Sequence, residues 1–150
     1  MVSVMSPIRI TAPGERIVEP IIALAHCSKL ARIIVTGANS AEAVIDLHRL
    51  GYPRATSSPN YGLPARQYDV VLLDGRQRSV KAVETTLDWA VDFLSFTGVL
   101  IVWLDQFAAG SRLRSVLEGH GFRVEAGTVH ERGSAIAARS FEKGATSKVA

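Results

Sequence analysis

Cysteine is all but missing from this chain. Cys27 is the single one in 150 residues, so no internal disulfide can form, and no Cys/His spacing suggests zinc. That agrees with a reducing compartment, and Cys27 reads as a small apolar residue facing the core. Long apolar runs are missing too: no stretch approaches the roughly 20 apolar residues that a bilayer-spanning helix needs. The opening residues Met1 to Pro7 lack the charged-then-apolar layout of a signal peptide, so a soluble, cytoplasmic protein is expected. Charge of one sign is not in large excess. The net +3 falls entirely in residues 111–150, with seven Lys/Arg against four Asp/Glu, whereas residues 1–110 carry ten of each. Those basic residues, Arg112, Arg114, Arg123, Arg132, Arg139, Lys143 and Lys148, have no interleaved aromatics and read as solvated surface rather than as a nucleic-acid footprint.

What is present fits one globular domain: 47% of the residues are hydrophobic and 21% charged. Pro7 and Pro13 argue against a regular element at the start, so residues 1–14 are expected to be a loosely ordered arm. Residues 15–141 form the domain, and 142–150, rich in Gly, Ser, Thr and Lys, a flexible tail. The partners this leaves are a small-molecule ligand and a second copy of the chain.

The organising stretch is Tyr68 to Leu104. Tyr68-Asp69-Val70-Val71-Leu72-Leu73-Asp74-Gly75 is an almost unbroken apolar run of strand length, as expected of a parallel strand covered on both faces. From Ser79 to Phe96, Val80, Val83, Leu87, Val91 and Leu94 fall at spacings of three and four, the stripe of an amphipathic helix. Gly98 then sits where a left-handed helix cap belongs, and Val99 to Leu104 is a second apolar strand, completing a βαβ unit.

Earlier in the chain, a helix is expected from about Pro20, with His26 near its end, and a first strand over Ala31 to Gly37. Asn39 followed by Glu42 forms a capping-box pattern for a helix running to Leu50, its apolar face Ala43, Val44, Leu47 and Leu50, with His48 solvated. Strand, glycine and helix start in that order make a ligand site, because backbone N–H groups and the helix dipole converge on the turn; a plain connecting turn fits the single glycine equally well. Arg54 to Ser57 reads as a short second strand. After the central unit, Ser111 caps a helix bearing Leu113, Val116 and Leu117 inward, which ends at Gly119-His120-Gly121. Phe122 to His130 and Ala135 to Ser140 form an antiparallel hairpin.

This order resembles the class I S-adenosylmethionine-dependent methyltransferases over roughly residues 15 to 140. The residues that carry the resemblance are Tyr68 to Gly75, the helix to Phe96, Gly98 to Asp105, and Gly119-His120-Gly121-Phe122 before a terminal hairpin. The Asp74-Gly75 pair and the Gly98-Val99-Leu100-Ile101-Val102 run look like those of small O-methyltransferases. The resemblance implies an α/β fold: a single-domain Rossmann-like three-layer sandwich, mostly parallel with a C-terminal antiparallel hairpin. It also implies S-adenosylmethionine as the cofactor, held by Gly37, Asn39, Ser57, Ser58 and Asp74.

The departures from that family are specific. The turn after the first strand keeps only the first glycine, and Ser57 stands where the family has its ribose-binding acid. Only 37 residues separate Gly37 from Asp74, which implies a missing or reduced third strand and, with it, the wall beside the adenine. Where the metal-dependent members place a second acid, this chain has Gly75-Arg76-Gln77-Arg78, so no metal is expected. Asp74 either holds a ligand group or serves the fold, capping the turn or pairing with Arg76 or Arg78. Val35 to Ser40 also resembles the opening of a short-chain dehydrogenase, but Tyr52, Tyr61 and Tyr68 are followed four residues later by Thr56, Ala65 and Leu72 rather than lysine. An NAD(P)-binding Rossmann protein therefore ranks last. The reading that remains is a methyltransferase-like protein with a degenerate S-adenosylmethionine site, serving as a non-catalytic binding or assembly module; the alternative is an active small methyltransferase with an atypical pocket.

Overall fold

The structure, a computed structural model, describes residues 18–37, 39–57, 66–76, 78–105, 110–130 and 133–140. The arm expected over 1–14, the tail over 142–150 and Ser58 lie outside the described residues. In chain order the elements are α1 (Val18–Ala23), β1 (Ile33–Gly37), α2 (Ser40–Arg49), β2 (Ala55–Ser57), β3 (Tyr68–Asp74), α3 (Val80–Ala90), β4 (Leu94–Leu104), α4 (Gly110–Gly119), β5 (Phe122–His130) and β6 (Gly133–Ser140). Among the described residues no helix is long and apolar enough to cross a membrane.

The strands form one six-stranded sheet in the order β2-β1-β3-β4-β6-β5. β2, β1, β3 and β4 run parallel, while β6 joins β4 antiparallel and carries β5 outward as its hairpin partner. This is the mixed Rossmann-like architecture the apolar runs imply. β3 has no polar face because both its faces are covered. Val70 and Leu72 pack into the core shared with Ile21, Ile22 and Leu47 of α1 and α2, whereas Val71 and Leu73 pack with Val83, Leu87, Leu113 and Leu117 of α3 and α4. The two cores on either side of one sheet are the three layers. Cys27 packs against the first of them, and burial pushes its thiol pKa up.

Several boundaries differ from the sequence expectation, each for a local reason. α1 occupies Val18–Ala23, with Pro20 in its first turn, and ends before His26, which takes a left-handed φ of 51°. His26 therefore turns the chain toward β1 instead of complementing a helix dipole. β1 begins at Ile33 because the Arg32 N–H is diverted to the Asp69 carboxylate at 2.8 Å. His48 is not merely solvated: its Nε2 lies 2.9 Å from the Ala55 carbonyl oxygen, tying α2 to β2. α4 includes Gly110, so Ser111 is its second residue rather than its cap.

The largest correction is at the end of α3. The helix stops at Ala90, a 3-10 turn covers Val91–Phe93, and β4 starts at Leu94. A 3-10 turn has three residues per turn, so the spacing from Val91 to Leu94 continues the apolar stripe although the helix has ended. Gly98 is accordingly not a helix cap. It lies in β4 at a break in register, where Tyr68 pairs with Leu94 but Val70 pairs with Val99. A Cβ there would fall 2.9 Å from the Asp69 carbonyl oxygen and against the Leu94 side chain. The glycine allows the close approach that lets the strand re-enter the ladder.

Leu72 is fully buried at the centre of β3. Leu72→Ala removes its contacts without room for the sheet to collapse, so it should lower unfolding free energy by roughly 2–5 kcal/mol in urea melts. An unchanged melt would contradict the two-sided burial of this strand.

Candidate functional site

β1 and β3 are neighbours, yet α2 leads the chain from β1 away to β2 on the other side. The order of the strands therefore reverses between β1 and β3, the place where open parallel sheets receive ligands. The residues at that junction are Gly37 and Asp74, direct partners across the ladder. Gly37 adopts φ +115°, and a Cβ on it would overlap the Asp74 carbonyl oxygen. Glycine is thus required twice, by the backbone angle and by the contact.

Of the expected site residues, Gly37 and Asp74 are brought together and Asn39 follows at the start of α2. Asn39 is the N-cap residue, but at φ −115°, ψ 37° its side chain makes no capping bond. The Asn39–Glu42 capping box is therefore not formed, because a capping side chain needs the extended backbone that this turn does not provide. The first helical turn is closed by the backbone instead, with the Ala43 N–H donating to the Asn39 carbonyl at 3.1 Å. Ser57 is less well placed. It pairs with Val35, two residues short of Gly37, and so sits roughly 7 Å below the junction along the strand direction.

Asp74 is fully buried, and its oxygens are taken by one residue. Arg76 donates from Nε to Oδ1 at 3.0 Å, from Nη2 to Oδ2 at 2.9 Å, and from its backbone N–H to Oδ1 at 3.1 Å. Of the two roles open to Asp74, the pairing with Arg76 is the one observed. The turn between them is tight: the Gly75 N–H reaches the Trp103 carbonyl at 2.7 Å, and a Cβ on Gly75 would lie 2.8 Å from a Val83 methyl. That turn folds Arg76 back over β4, where its guanidinium carbon stacks 3.5 Å from the centre of the Trp103 ring. Trp103 is opposite Asp74 in the β3–β4 ladder. The sequence offered Trp103 only as part of an apolar strand, and no local pattern marked its contact with Arg76. Among the described residues, no three His, Cys, Asp or Glu side chains gather as a metal-ligand set.

No protein-family model matches the sequence, and no curated protein matches it. Solved structures do share its fold. Precorrin-6y C5,15-methyltransferase from Geobacter metallireducens superposes with a TM-score of 0.60 at 18% identity, over 89% of this chain and 94% of its own. The 1,6-didemethyltoxoflavin-N1-methyltransferase of Burkholderia thailandensis, solved with S-adenosylhomocysteine bound, gives 0.59 at 14% identity, over 86% and 78%. A S-adenosylmethionine-dependent O-methyltransferase from Thermotoga maritima gives 0.56 at 13%, over 93% and 69%. The fold is that of the class I S-adenosylmethionine-dependent methyltransferases.

The Asp74–Arg76 pair makes a stability test. Arg76→Ala leaves a buried carboxylate without its partner and should cost roughly 3–5 kcal/mol in denaturant unfolding, whereas the neutral double variant Asp74→Asn/Arg76→Gln should recover most of that loss. Equal losses in both variants would show that the carboxylate does not depend on Arg76.

Proposed function

We propose that this chain is a methyltransferase-like binding module whose S-adenosylmethionine site is degenerate. The observation that carries the reading is the closure of Asp74. A carboxylate that is to hold a ligand hydroxyl or sulfonium must offer an oxygen to the cleft, and both Asp74 oxygens are already bonded to Arg76 beneath the surface. Ser57 supplies no charge in place of a ribose-binding acid and sits below the junction. Of the features that would grip the cofactor, the Gly37 turn and the start of α2 fit it, and the acids do not.

The alternative is an active small methyltransferase. It draws support from one feature, the Gly37 turn, which keeps its left-handed backbone at the place where the strand order reverses. Methyl transfer requires mainly that a sulfonium be held in line with a nucleophile, so few side chains are obligatory. The backbone turn is common to both readings; the ionic grip separates them.

Calorimetric titration with S-adenosylmethionine and S-adenosylhomocysteine decides between them. The degenerate site predicts dissociation constants no tighter than about 0.1–1 mM, because a site without ionic contacts retains only backbone hydrogen bonds. Binding in the low micromolar range would favour the active reading instead.

A further inference from the structure

The same pair that closes Asp74 also builds something. Arg76 has five N–H donors in its guanidinium, and Asp74 takes those of the Nε–Nη2 edge. The end of the fork, where Nη1 and Nη2 each present an N–H in parallel, has no acceptor among the described residues. The guanidinium is held flat against Trp103, and the Arg76 side chain keeps 17% of its surface exposed. This is a cation fixed in plane by a buried carboxylate and an indole, with one bidentate edge that Asp74 does not engage.

Stability does not call for such an arrangement. A buried ion pair replaced by apolar side chains of similar volume is commonly as stable or more so, which makes a buried aspartate that serves only to hold an arginine a poor structural device. As a ligand device it is effective, because the guanidinium fork matches a carboxylate in geometry and loses little freedom once anchored. Its position is also distinct from the cofactor turn. Trp103 belongs to β4, on the far side of β3 from β1, so Arg76 is displaced from Gly37 across the ligand edge.

We propose that this edge of the sheet binds a small organic carboxylate through the Nη1–Nη2 edge of Arg76 that Asp74 leaves unengaged. Charge selects carboxylate over phosphate: Asp74 already balances the guanidinium, so a monoanion adds one uncompensated charge and a phosphate dianion adds two. The proposal stands whether or not S-adenosylmethionine binds at the Gly37 turn.

The test uses the full chain in a Trp89→Phe background, which leaves Trp103 as the sole tryptophan of the two. Benzoate, benzamide and inorganic phosphate are titrated at constant ionic strength while the Trp103 indole and Arg76 Nε–H resonances are followed by NMR. Benzoate should shift both and bind at least about tenfold more tightly than either control, in line with a bidentate charge-assisted contact. Arg76→Lys, which keeps the charge but loses the fork, should weaken benzoate by about tenfold. The Asp74→Asn/Arg76→Gln double variant should do the same and leaves no buried charge should the single variant fail to fold. Benzamide or phosphate binding as tightly as benzoate, or a folded double variant that keeps the benzoate affinity, overturns the proposal. Titrating 5′-methylthioadenosine, which carries no carboxylate, into the same samples reads the cofactor turn separately, so failure at one site is not mistaken for failure at the other.

Discussion

A buried carboxylate at the end of the central strand sets the constraint that the ligand edge of this molecule obeys. Asp74 has no exposed surface, so its oxygens must find donors inside the protein. Among the described residues three donors reach them, all from Arg76, two residues on, and that demand dictates the chain between them. Gly75 must lack a side chain so that the strand can turn against Val83, and Arg76 must then fold back across Trp103. On the other side, Gly37 must lack one so that β1 can close against the Asp74 backbone. The charge thus accounts for the arginine and its place against the tryptophan, while the two glycines answer to the packing around Asp74.

The sheet has the fold of the class I methyltransferases, and the polarity at the end of its central strand is set by the Asp74–Arg76 pair. The backbone turn at Gly37 lies where strand order reverses, and the helix that follows directs its amides there. At the end of β3 the buried Asp74 carboxylate is paired with the partly exposed Arg76 side chain. On the proposed reading, such an edge favours an anionic ligand over a cationic or hydroxyl-rich one. Fold alone does not fix function here, since the same sheet can present either polarity at this edge.

Much of the fold was legible in the sequence because buried parallel strands leave an unmistakable record. Val70 to Leu73 and Val99 to Leu104 are apolar at consecutive positions, and only a strand covered on both faces needs that. The end of α3 was not legible, since a 3-10 turn and an α-helix place an apolar residue three positions on equally well, and Leu94 satisfied both. The capping box at Asn39 was misread because its residue types are right while the backbone of the turn is not, and that backbone depends on Gly37 packing against a strand distant in sequence. At the site, Gly37 and Asp74 stood out as strand-terminal residues and Arg76 as a partner of Asp74. Which oxygens stayed available depended on Trp103, whose contact with Arg76 follows from the register of β3 against β4 and from no local pattern.

The central claim is that Arg76 is locked between Asp74 and Trp103 before any ligand arrives. Its direct measure is the hydrogen-exchange rate of the Arg76 Nε–H in the ligand-free protein, followed by NMR alongside its proximity to the Trp103 ring protons. A guanidinium held by a buried carboxylate under an indole should exchange at least about tenfold more slowly than solvent-exposed arginines and show cross-relaxation to the Trp103 ring. Exchange as fast as that of exposed Arg49, without contact to the indole, would contradict the account.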